Sequence, residues 1–171
     1  MKIKIAIAAL MFASCAVAQD DGYVLDGLHD MSQEEFDCLV LNSYFEARNQ
    51  SSNGQMGVTH VVLNRMADKR YPNTACGVTT QAKYHLNGSI RRNKCQFSWF
   101  CDGLSDRPRN FDAYLHSVIV TTQALDLYDY GFDLTDGSTH YHAKSVQPYW
   151  SKTIDYITSI DDHHFYRWGA G

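Results

Sequence analysis

The sequence lacks several features that would assign it to large classes of proteins. It has no basic excess, since 15 lysines and arginines face 19 aspartates and glutamates, for a formal charge of −4. Nucleic-acid binding is therefore not expected, because it requires a basic surface. The apolar run at residues 5–12 is much shorter than the roughly 20 residues of a membrane-spanning helix. No internal repeat, low-complexity tract or linker interrupts the chain, which indicates one folded domain.

The first 18 residues have the pattern of a secretory signal peptide. Two lysines and the apolar run precede an A-x-A cleavage site at residues 16–18, in the order that signal peptides follow. Cleavage after Ala18 would remove the two lysines and no acids, and would change the formal charge to −6. A lipoprotein acylated at Cys15 is the alternative, which Phe12 disfavours because such sites usually carry leucine there. We therefore expect an exported protein, periplasmic, cell-surface or secreted, without stable membrane insertion after cleavage.

The rest of the chain predicts a flexible polar arm at residues 19–30 and one domain at residues 31–171. Helical periodicity covers residues 33–48, 52–69 and 112–131. Residues 73–110 are expected to be mostly irregular. Short strands are predicted in the β-rich, aromatic segments at residues 139–142 and 154–160. This order predicts an α+β fold, mainly helical with a small β-rich C-terminal part.

Polar and apolar positions in these helices predict their ends and faces. Ser32 and Glu35 have the spacing of a capping box, in which each side chain binds a backbone N–H near the other. The second helix repeats this spacing with Ser52 and Gln55. Gly57 would let another backbone approach that helix closely. The core-facing stripe of the last helix is predicted to comprise Tyr114, Leu115, Val118, Thr122 and Leu125.

Glu46 is the carboxylate whose position most clearly suggests chemistry. It falls in the last turn of the first predicted helix, beside the apolar stripe that contains Leu39. Partial burial and the negative end of the helix dipole both disfavour a charged carboxylate and raise its pKa. A raised pKa suits a general acid that works near neutral pH. The alternative is a surface glutamate paired with Arg48 or a nearby lysine, and position alone does not decide between them.

Four cysteines remain after the predicted cleavage, and an even number in an exported chain favours disulfides. Three pairings are possible, and Cys38 could instead be a buried free thiol. A zinc site built from the cysteines is disfavoured because the sequence has no C-x-x-C pair. The disulfide candidates are Cys38, Cys76, Cys95 and Cys101.

Two segments combine aromatic rings with polar groups in a way that suits sugar binding. They are CQFSWFCDG at residues 95–103 and QPYW at residues 147–150. Sugars place their C–H faces on rings and their hydroxyls on polar groups. The alternative is an ordinary disulfide loop with core aromatics. Asp102 and Asp106 are carboxylates that could partner Glu46, unless Asp106 forms a surface ion pair with its neighbour Arg107.

The segment GSTHYHA at residues 137–143 is rich in histidine. In a strand, His140 and His142 would point to the same face. With His163 or His164 they could form a zinc site, although no zinc-hydrolase motif such as H-E-x-x-H is present. The other interpretation is that the histidines hydrogen-bond a substrate or fill the wall of a cleft. We expect neither a metal nor another cofactor.

Three ordered parts of the sequence resemble the cell-wall hydrolase family that includes spore-cortex-lytic enzymes. They are YFEARNQ…GQMGVTHVVLNR…YPNTACGV, CQFSWFCDG and STHYHAKSVQPYW, and they span roughly residues 38–166. The resemblance implies a lysozyme-like α+β fold, peptidoglycan as substrate, and Glu46 of the E-A-R motif as the catalytic acid. Relatives commonly read E-A-R-G-E, whereas this chain has Asn49 and Gln50 after Arg48.

Only one carboxylate, that of Glu46, has a position in the sequence that clearly suggests catalysis, and this bears on the mechanism. Ordinary glycosidases use two carboxylates, whereas a lytic transglycosylase, which the resemblance implies, can use one as acid and then base. The alternatives are a hydrolytic muramidase with Asp102 as base, a zinc-dependent amidase or peptidase built on the histidines, and a non-catalytic glycan-binding module. The expected partners are peptidoglycan glycan strands and an unidentified regulator. The predicted substrate-binding residues are Gln96, Phe97, Ser98, Asp102, His140, Tyr141, Tyr149 and Trp150.

Overall fold

The computed structural model describes residues 31–169, so the predicted signal peptide and N-terminal arm lie outside the described residues. Within that range there are four α-helices: α1 (Gln33–Ala47), α2 (Ser52–Ala67), α3 (Ala75–Thr79) and α4 (Phe111–Asp129). Helices α1, α2 and α4 pack against one another, and α3 packs on α1 and α2. No helix within residues 31–169 is long and apolar enough to cross a membrane.

Two antiparallel sheets complete the described part of the chain. Strands β1 (Ala82–Tyr84) and β2 (Ile90–Cys95) form a hairpin. Strands β3 (His140–Ala143), β4 (Asp155–Ile160) and β5 (His163–Arg167) form a sheet in the order β3-β5-β4. Short 3₁₀ helices lie at Ser98–Cys101 and Tyr149–Lys152. The predicted α+β class, with a small β-rich C-terminal part, is confirmed.

The expectation of a mostly irregular segment at residues 73–110 overlooks its regular elements. This segment contains α3, the β1–β2 hairpin and the first 3₁₀ helix. The side chains of β2 are exposed except for that of Cys95, which is partly buried. The sequence IRRNKC therefore has neither the alternation nor the apolar content by which strands are recognised, and its pairing with β1 is what defines it as a strand.

The start of α1 forms half of the predicted capping box. Ser32 accepts a hydrogen bond from the backbone N–H of Glu35 at 3.3 Å, as an N-cap residue should. The Glu35 carboxylate does not return to Ser32 but accepts the backbone N–H of Cys76 at 2.9 Å, in the first turn of α3. The acidic side chain therefore ties α1 to α3.

The start of α2 differs from the prediction by one residue. Its N-cap is Ser51, whose hydroxyl accepts the N–H of Gly54 at 3.3 Å. Gln55 makes no cap and is fully buried. Its Oε1 instead accepts hydrogen bonds from Ser43 of α1 at 3.3 Å and Ser117 of α4 at 3.0 Å. One buried amide therefore joins three helices.

The buried face of α4 is not the stripe that its apolar residues predict. Leu115 is 47 % exposed, and Val118 and Thr122 are only partly buried. Leu125 is buried as predicted, but small and polar residues make up much of the buried face, where Ser117 hydrogen-bonds to Gln55 of α2. The buried residues of α4 are Ser117, Val120, Thr121, Ala124 and Leu125.

The three-stranded sheet packs on α2 at Gly57. A Cβ at this position would lie 2.9 Å from Cζ of Phe165 and 3.2 Å from Cδ1 of Ile160. Any larger residue would push the sheet away, so glycine is needed here for close approach. The sequence predicted close approach of another backbone, but the group that fills the space is the fully buried ring of Phe165.

All four candidate cysteines form disulfides. Cys38 of α1 bonds to Cys76 of α3, and Cys95 bonds to Cys101 across the 3₁₀ turn that follows β2. The alternative of a free thiol at Cys38 is therefore wrong. The first bridge connects two helices and the second closes a short loop.

Candidate functional site

Glu46 lies in the last turn of α1, where three distant parts of the chain meet. Its Oε2 accepts a hydrogen bond from the hydroxyl of Tyr141, on β3, at 3.1 Å. A backbone hydrogen bond from Ser98 and the positive charge of Arg65, on α2, also act on the carboxylate. The alternative of a surface glutamate paired with Arg48 does not fit, because Arg48 instead donates to the carbonyl of Tyr44 at 3.4 Å.

The pKa of Glu46 is raised above its ordinary value, and burial is the largest cause. The Tyr141 hydroxyl, the Ser98 backbone and the charge of Arg65 act in the opposite direction and limit the rise. The carboxyl therefore holds its proton to higher pH than an exposed glutamate does. It can also carry a negative charge, which the Tyr141 hydroxyl, the Ser98 backbone and the charge of Arg65 all favour. Both properties suit a group that gives up a proton and later takes one back.

Tyr141 is directed at Glu46 by the alternation of β3. It lies opposite Phe165 of β5, with the ring centroids 5.7 Å apart, on the sheet face that packs against the helices. Burial and then the charge of Glu46 raise the pKa of Tyr141 well above its usual value. Its hydroxyl therefore stays protonated and remains a donor. The sequence predicted Tyr141 to bind substrate, and the structure brings it onto the candidate acid itself.

Arg65 is the buried cation of the site. Its side chain is sandwiched between Tyr71 and Phe97, with Cζ 5.2 and 5.1 Å from the two ring centroids. Its Nε donates to the carbonyl of Thr139 at 2.7 Å, while Nη1 has no hydrogen-bond partner within residues 31–169. Burial lowers the pKa of Arg65, but arginine starts so far above neutral pH that it stays charged. Its charge therefore acts on Glu46 without a direct ion pair.

His60 and Asn64, on the same helix as Arg65, hold the segment that leads into β3. Nδ1 of His60 accepts the backbone N–H of Leu134 at 3.1 Å. Asn64 donates to the carbonyl of Ser138 at 3.0 Å. Together with the bond from Arg65, these contacts fix the start of β3 and hence the position of its tyrosine. The GVTHVVLNR part of the sequence is therefore a frame for the site.

The predicted sugar-binding loop lies against α1, but its largest rings are in the core. Trp99 stacks on Phe45, with centroids 5.3 Å apart and planes at 16°, and its Nε1 donates to Asn42 at 3.0 Å. Phe97 is 3 % exposed, so it offers no open face to a sugar. Ser98 and its neighbour Gln96 are exposed. The loop therefore contributes its backbone and small polar groups beside Glu46.

A cavity of about 370 Å³ opens beside Ser98. It is bounded by the last turn of α1 and by the loop at residues 102–109. Asp102 lines it, with Oδ1 accepting the backbone N–H of Leu104 at 2.7 Å. Burial and then the charge of Asp102 raise the pKa of Asp106. Neither aspartate is among the groups that shift the pKa of Glu46, so the structure does not bring a second carboxylate onto it.

His140 and His142 share one face of β3, as predicted, but it is the face opposite to Tyr141. They pair across the ladder with Tyr166 and His164 of β5. Burial, followed by the charges of nearby arginines, lowers the pKa of His140 to about 4. His140 is therefore neutral at physiological pH. Neither histidine hydrogen-bonds Glu46: His140 bonds to the hydroxyl of Thr139 and His142 to that of Tyr166, each at 3.0 Å.

The histidines do not assemble into the alternative zinc site. Within residues 31–169, no group of three histidine, cysteine, aspartate or glutamate side chains is arranged to hold a metal ion. His163 lies on the Tyr141 face of the sheet, since it pairs with Ala143. His164 hydrogen-bonds Ser159 through Nδ1. Each candidate ligand is therefore on a separate face or already engaged.

Tyr149 and Trp150 stand on the outer side of the same sheet. Trp150 is partly buried, with its ring 5.2 Å from His140 and 5.5 Å from His142. Tyr149 is 83 % exposed. Only Tyr149 of the pair therefore offers a free ring, and the structure does not bring it next to Glu46.

Gln50, which stands where relatives often have a second acid, is turned away to the β4–β5 hairpin. Its Oε1 accepts the backbone N–H of Asp162 at 3.2 Å, and its Nε2 donates to the Asp162 carboxylate at 3.5 Å. Its neighbour Ser51 donates through both backbone and hydroxyl to Asp161, at 2.8 and 2.6 Å. Position 50 therefore has a structural contact of its own.

Arg65 is the functional residue that sequence reasoning did not single out. It lies on α2 among the buried residues Val61, Val62 and Leu63. A charged residue on such an otherwise uncharged, buried face is the available signal, because arginine is rarely buried without a partner. Its neighbour Glu46 supplies part of that partnership.

Comparison with known proteins agrees with this fold. A family model described as Cell Wall Hydrolase matches residues 49–166, and the chain therefore belongs to the cell wall hydrolase family. The match begins after Glu46, so the case for that residue depends on the geometry above. No curated protein matches the sequence.

Two solved structures have a similar fold. The catalytic domain of the Bacillus cereus SleB protein has a TM-score of 0.61 at 23% identity, over 80% of this chain and 91% of that one. The catalytic domain of the germination-specific lytic transglycosylase SleB from Bacillus anthracis has a TM-score of 0.52 at 23% identity, over 81% of this chain and 98% of that one. At this identity the likeness defines the fold alone.

Proposed function

We propose that the protein is a lytic transglycosylase that cleaves peptidoglycan between N-acetylmuramic acid and N-acetylglucosamine, with Glu46 as acid and then base. The observation that carries this proposal is the hydrogen bond from Tyr141 to a partly buried Glu46, whose pKa is raised by burial. Membership of the cell wall hydrolase family and the fold of SleB catalytic domains support the substrate class. The predicted signal peptide is consistent with action outside the cytoplasm.

In the proposed reaction, Glu46 first donates a proton and then accepts one. Protonated Glu46 donates to the glycosidic oxygen as the bond between that oxygen and C1 of muramic acid breaks. The new carboxylate is stabilised by the Tyr141 hydroxyl, at 3.1 Å, and by the charge of Arg65. It then takes the proton of the 6-hydroxyl of the same sugar, whose oxygen bonds to C1 and closes a 1,6-anhydro ring. Glu46 ends protonated, ready for another cycle.

Hydrolysis is the competing outcome, and it would require a base to activate water. Asp102 lines the cavity beside Ser98, but its Oδ1 accepts the backbone N–H of Leu104 in its own loop. This arrangement favours the one-carboxylate mechanism. The absence of an assembled histidine site within residues 31–169 gives no support to the amidase or peptidase alternative.

Mass spectrometry of the products from purified sacculi tests the proposal. The released muropeptides should end in 1,6-anhydro-N-acetylmuramic acid, which is lighter by one water than the hydrolysed product. Glu46→Gln protein, folded to the same melting temperature, is the matched control and should release almost nothing. Reducing sugar ends would mean a hydrolase, free stem peptides an amidase, and no product at all a binding module.

A further inference from the structure

The cavity beside Ser98 carries positive charge in an otherwise acidic protein. Three of its lining residues are arginines, Arg48, Arg107 and Arg109, and all three side chains are exposed. Within residues 31–169, none of them pairs with a carboxylate at salt-bridge distance. Their charges are therefore available to a ligand.

Tyr44 contacts the backbone of Arg109 and the side chain of Arg48. Its side chain is 3 % exposed, and its hydroxyl accepts the backbone N–H groups of Arg109 and Asn110 at 3.2 Å each. Arg48 lies over the ring of Tyr44, with Cζ 5.0 Å from the centroid, and donates to its carbonyl. The buried tyrosine thus fixes the 102–109 loop against the end of α1, and this part of the cavity is built before a ligand arrives.

The two aspartates of the cavity do not neutralise the arginines. Asp102 caps the backbone of its own loop through Leu104. The pKa of Asp106 is raised, by burial and by the charge of Asp102. Within the described residues, neither aspartate forms a salt bridge with an arginine of the cavity.

We infer that this cavity binds a carboxylate of the substrate through Arg48 and Arg109, with Arg107 adding to the positive field. The inference rests on the proposed function, which supplies an anionic substrate next to Glu46. Glu46 does not itself line the cavity, but its chain neighbour Phe45 does, and so does Ser98, whose backbone lowers the pKa of Glu46. Guanidinium groups bind carboxylates with two parallel hydrogen bonds, which gives orientation as well as attraction. The site would hold the muramic acid in register with Glu46.

Muramic acid can present this carboxylate from two sources. In intact strands it belongs to the peptide stem, and in strands without stems it is the lactyl group of the sugar itself. Both sources present a carboxylate that a guanidinium can bind, so the experiment has to separate them.

Binding measurements on Glu46→Gln protein test the inference without turnover. Three soluble glycan preparations are compared by calorimetry: strands with peptide stems, the same strands with their carboxylates converted to amides, and strands freed of stems by an amidase. The proteins are the Glu46→Gln parent, the same protein with Arg48→Gln and Arg109→Gln, and a control with Arg91→Gln. Arg91 is exposed on β2, outside the cavity, so the control removes charge at an unrelated place.

The parent should bind free-carboxylate stems at least about tenfold more tightly than amidated stems, the size expected for one good charged contact. The double arginine change should abolish that preference and leave binding of amidated stems unchanged, and the Arg91→Gln control should keep it. Arginine-dependent binding that persists on stem-free strands identifies the lactyl group as the source. Its loss there identifies the peptide.

The inference would be overturned if the parent bound free and amidated strands equally and its binding of stem-free strands did not depend on the arginines. So would an equal loss for both substrates in the double variant, or no binding of any strand. These outcomes are independent of product analysis on sacculi: the enzyme can release anhydro products and still show no preference for a carboxylate. Conversely, a preference for carboxylates with hydrolysed products would leave the cavity assignment in place and reject the transglycosylase.

Discussion

The hydroxyl of Tyr141 donates to Oε2 of Glu46 at 3.1 Å, joining residues 95 positions apart in the chain. This contact lowers the pKa of a carboxyl that burial raises. It also fixes one oxygen of the acid in place. Two effects of Tyr141, on pKa and on orientation, can therefore be separated by measurement.

Glu46→Gln should lower the rate of sacculus turnover at least about 10²-fold, because the amide cannot donate a proton to the leaving oxygen. In the parent, activity should fall as pH rises through the pKa of Glu46, since only the protonated form is the acid. The raised pKa places this fall above the usual range of glutamate. A dye-release assay across pH measures both effects, and a Glu46→Gln protein with near-normal turnover would remove Glu46 from the mechanism.

Tyr141→Phe removes a group that lowers the pKa of Glu46, so that pKa should rise. The alkaline limb of the pH–rate profile should then move to higher pH, while the maximal rate falls about tenfold or more because the acid is less well oriented. Tyr156→Phe is the matched control: Tyr156 is 56 % exposed and hydrogen-bonds Ser159. A lower rate with an unmoved profile would mean that Tyr141 only supports the fold.

The sequence predicted the position of Glu46 more securely than the partner of Glu46. Local signals, a cap at Ser32 and a loop after residue 48, are enough to put Glu46 in the last turn of α1. Which residue meets it is decided by packing of β3 on α2, because alternation shows that His140 and Tyr141 face opposite ways but not which face is inward. The small residue Gly57 and the ring of Phe165 make that choice.

The error in α4 has a related cause. The search for an apolar stripe assumes that buried faces are apolar, which is the usual rule for amphipathic helices. Here Ser117 and Thr121 are fully buried while Leu115 is 47 % exposed. The buried hydroxyl of Ser117 has two acceptors at 3.0 Å, the carbonyl of Ala113 and the amide oxygen of Gln55. The second lies 62 positions away, and no local pattern contains that information.

Asp102→Asn should lower activity only modestly and should leave product identity unchanged. The amide oxygen can still accept the N–H of Leu104, a bond of 2.7 Å in the parent, so the loop should keep its shape. Product mass spectra and rates on sacculi provide the test. Near-complete loss of activity, with reducing ends in the parent products, would instead identify Asp102 as the base of a two-carboxylate hydrolase.

We expect the Cys38–Cys76 disulfide to contribute more to stability and the Cys95–Cys101 disulfide to contribute more to activity. Cys38–Cys76 spans 38 residues and Cys95–Cys101 only 6, so loop-closure entropy predicts contributions of roughly 4 and roughly 2 kcal/mol to the free energy of unfolding. The short loop, however, carries Ser98, whose backbone lowers the pKa of Glu46. Replacing Cys95 and Cys101 with serine should therefore cost more activity, and replacing Cys38 and Cys76 more stability. Urea unfolding and turnover of the two double variants would show the opposite ranking if this account is wrong.

Gln50→Glu restores the second acid of the E-A-R-G-E pattern, and we expect it to weaken the fold without raising activity. The amide of Gln50 donates to the Asp162 carboxylate, and a glutamate would bring a negative charge beside Asp161 and Asp162. This repulsion raises the pKa of the new carboxyl in the folded state. A raised folded pKa means that stability is kept below the unfolded pKa of about 4.3 and lost as pH rises through the folded pKa.

The expected loss at pH 7 is about 1 kcal/mol or less, because the contact lies at the surface. At pH 4 it should largely disappear, since a protonated glutamate can still donate to Asp162. Asn49→Asp is the control, as it adds the same charge at an exposed neighbouring position. Urea unfolding of both variants at the two pH values measures the difference. A Gln50→Glu protein that is as stable as the parent and faster on sacculi would show that position 50 takes part in the reaction, which its contacts with the β4–β5 hairpin argue against.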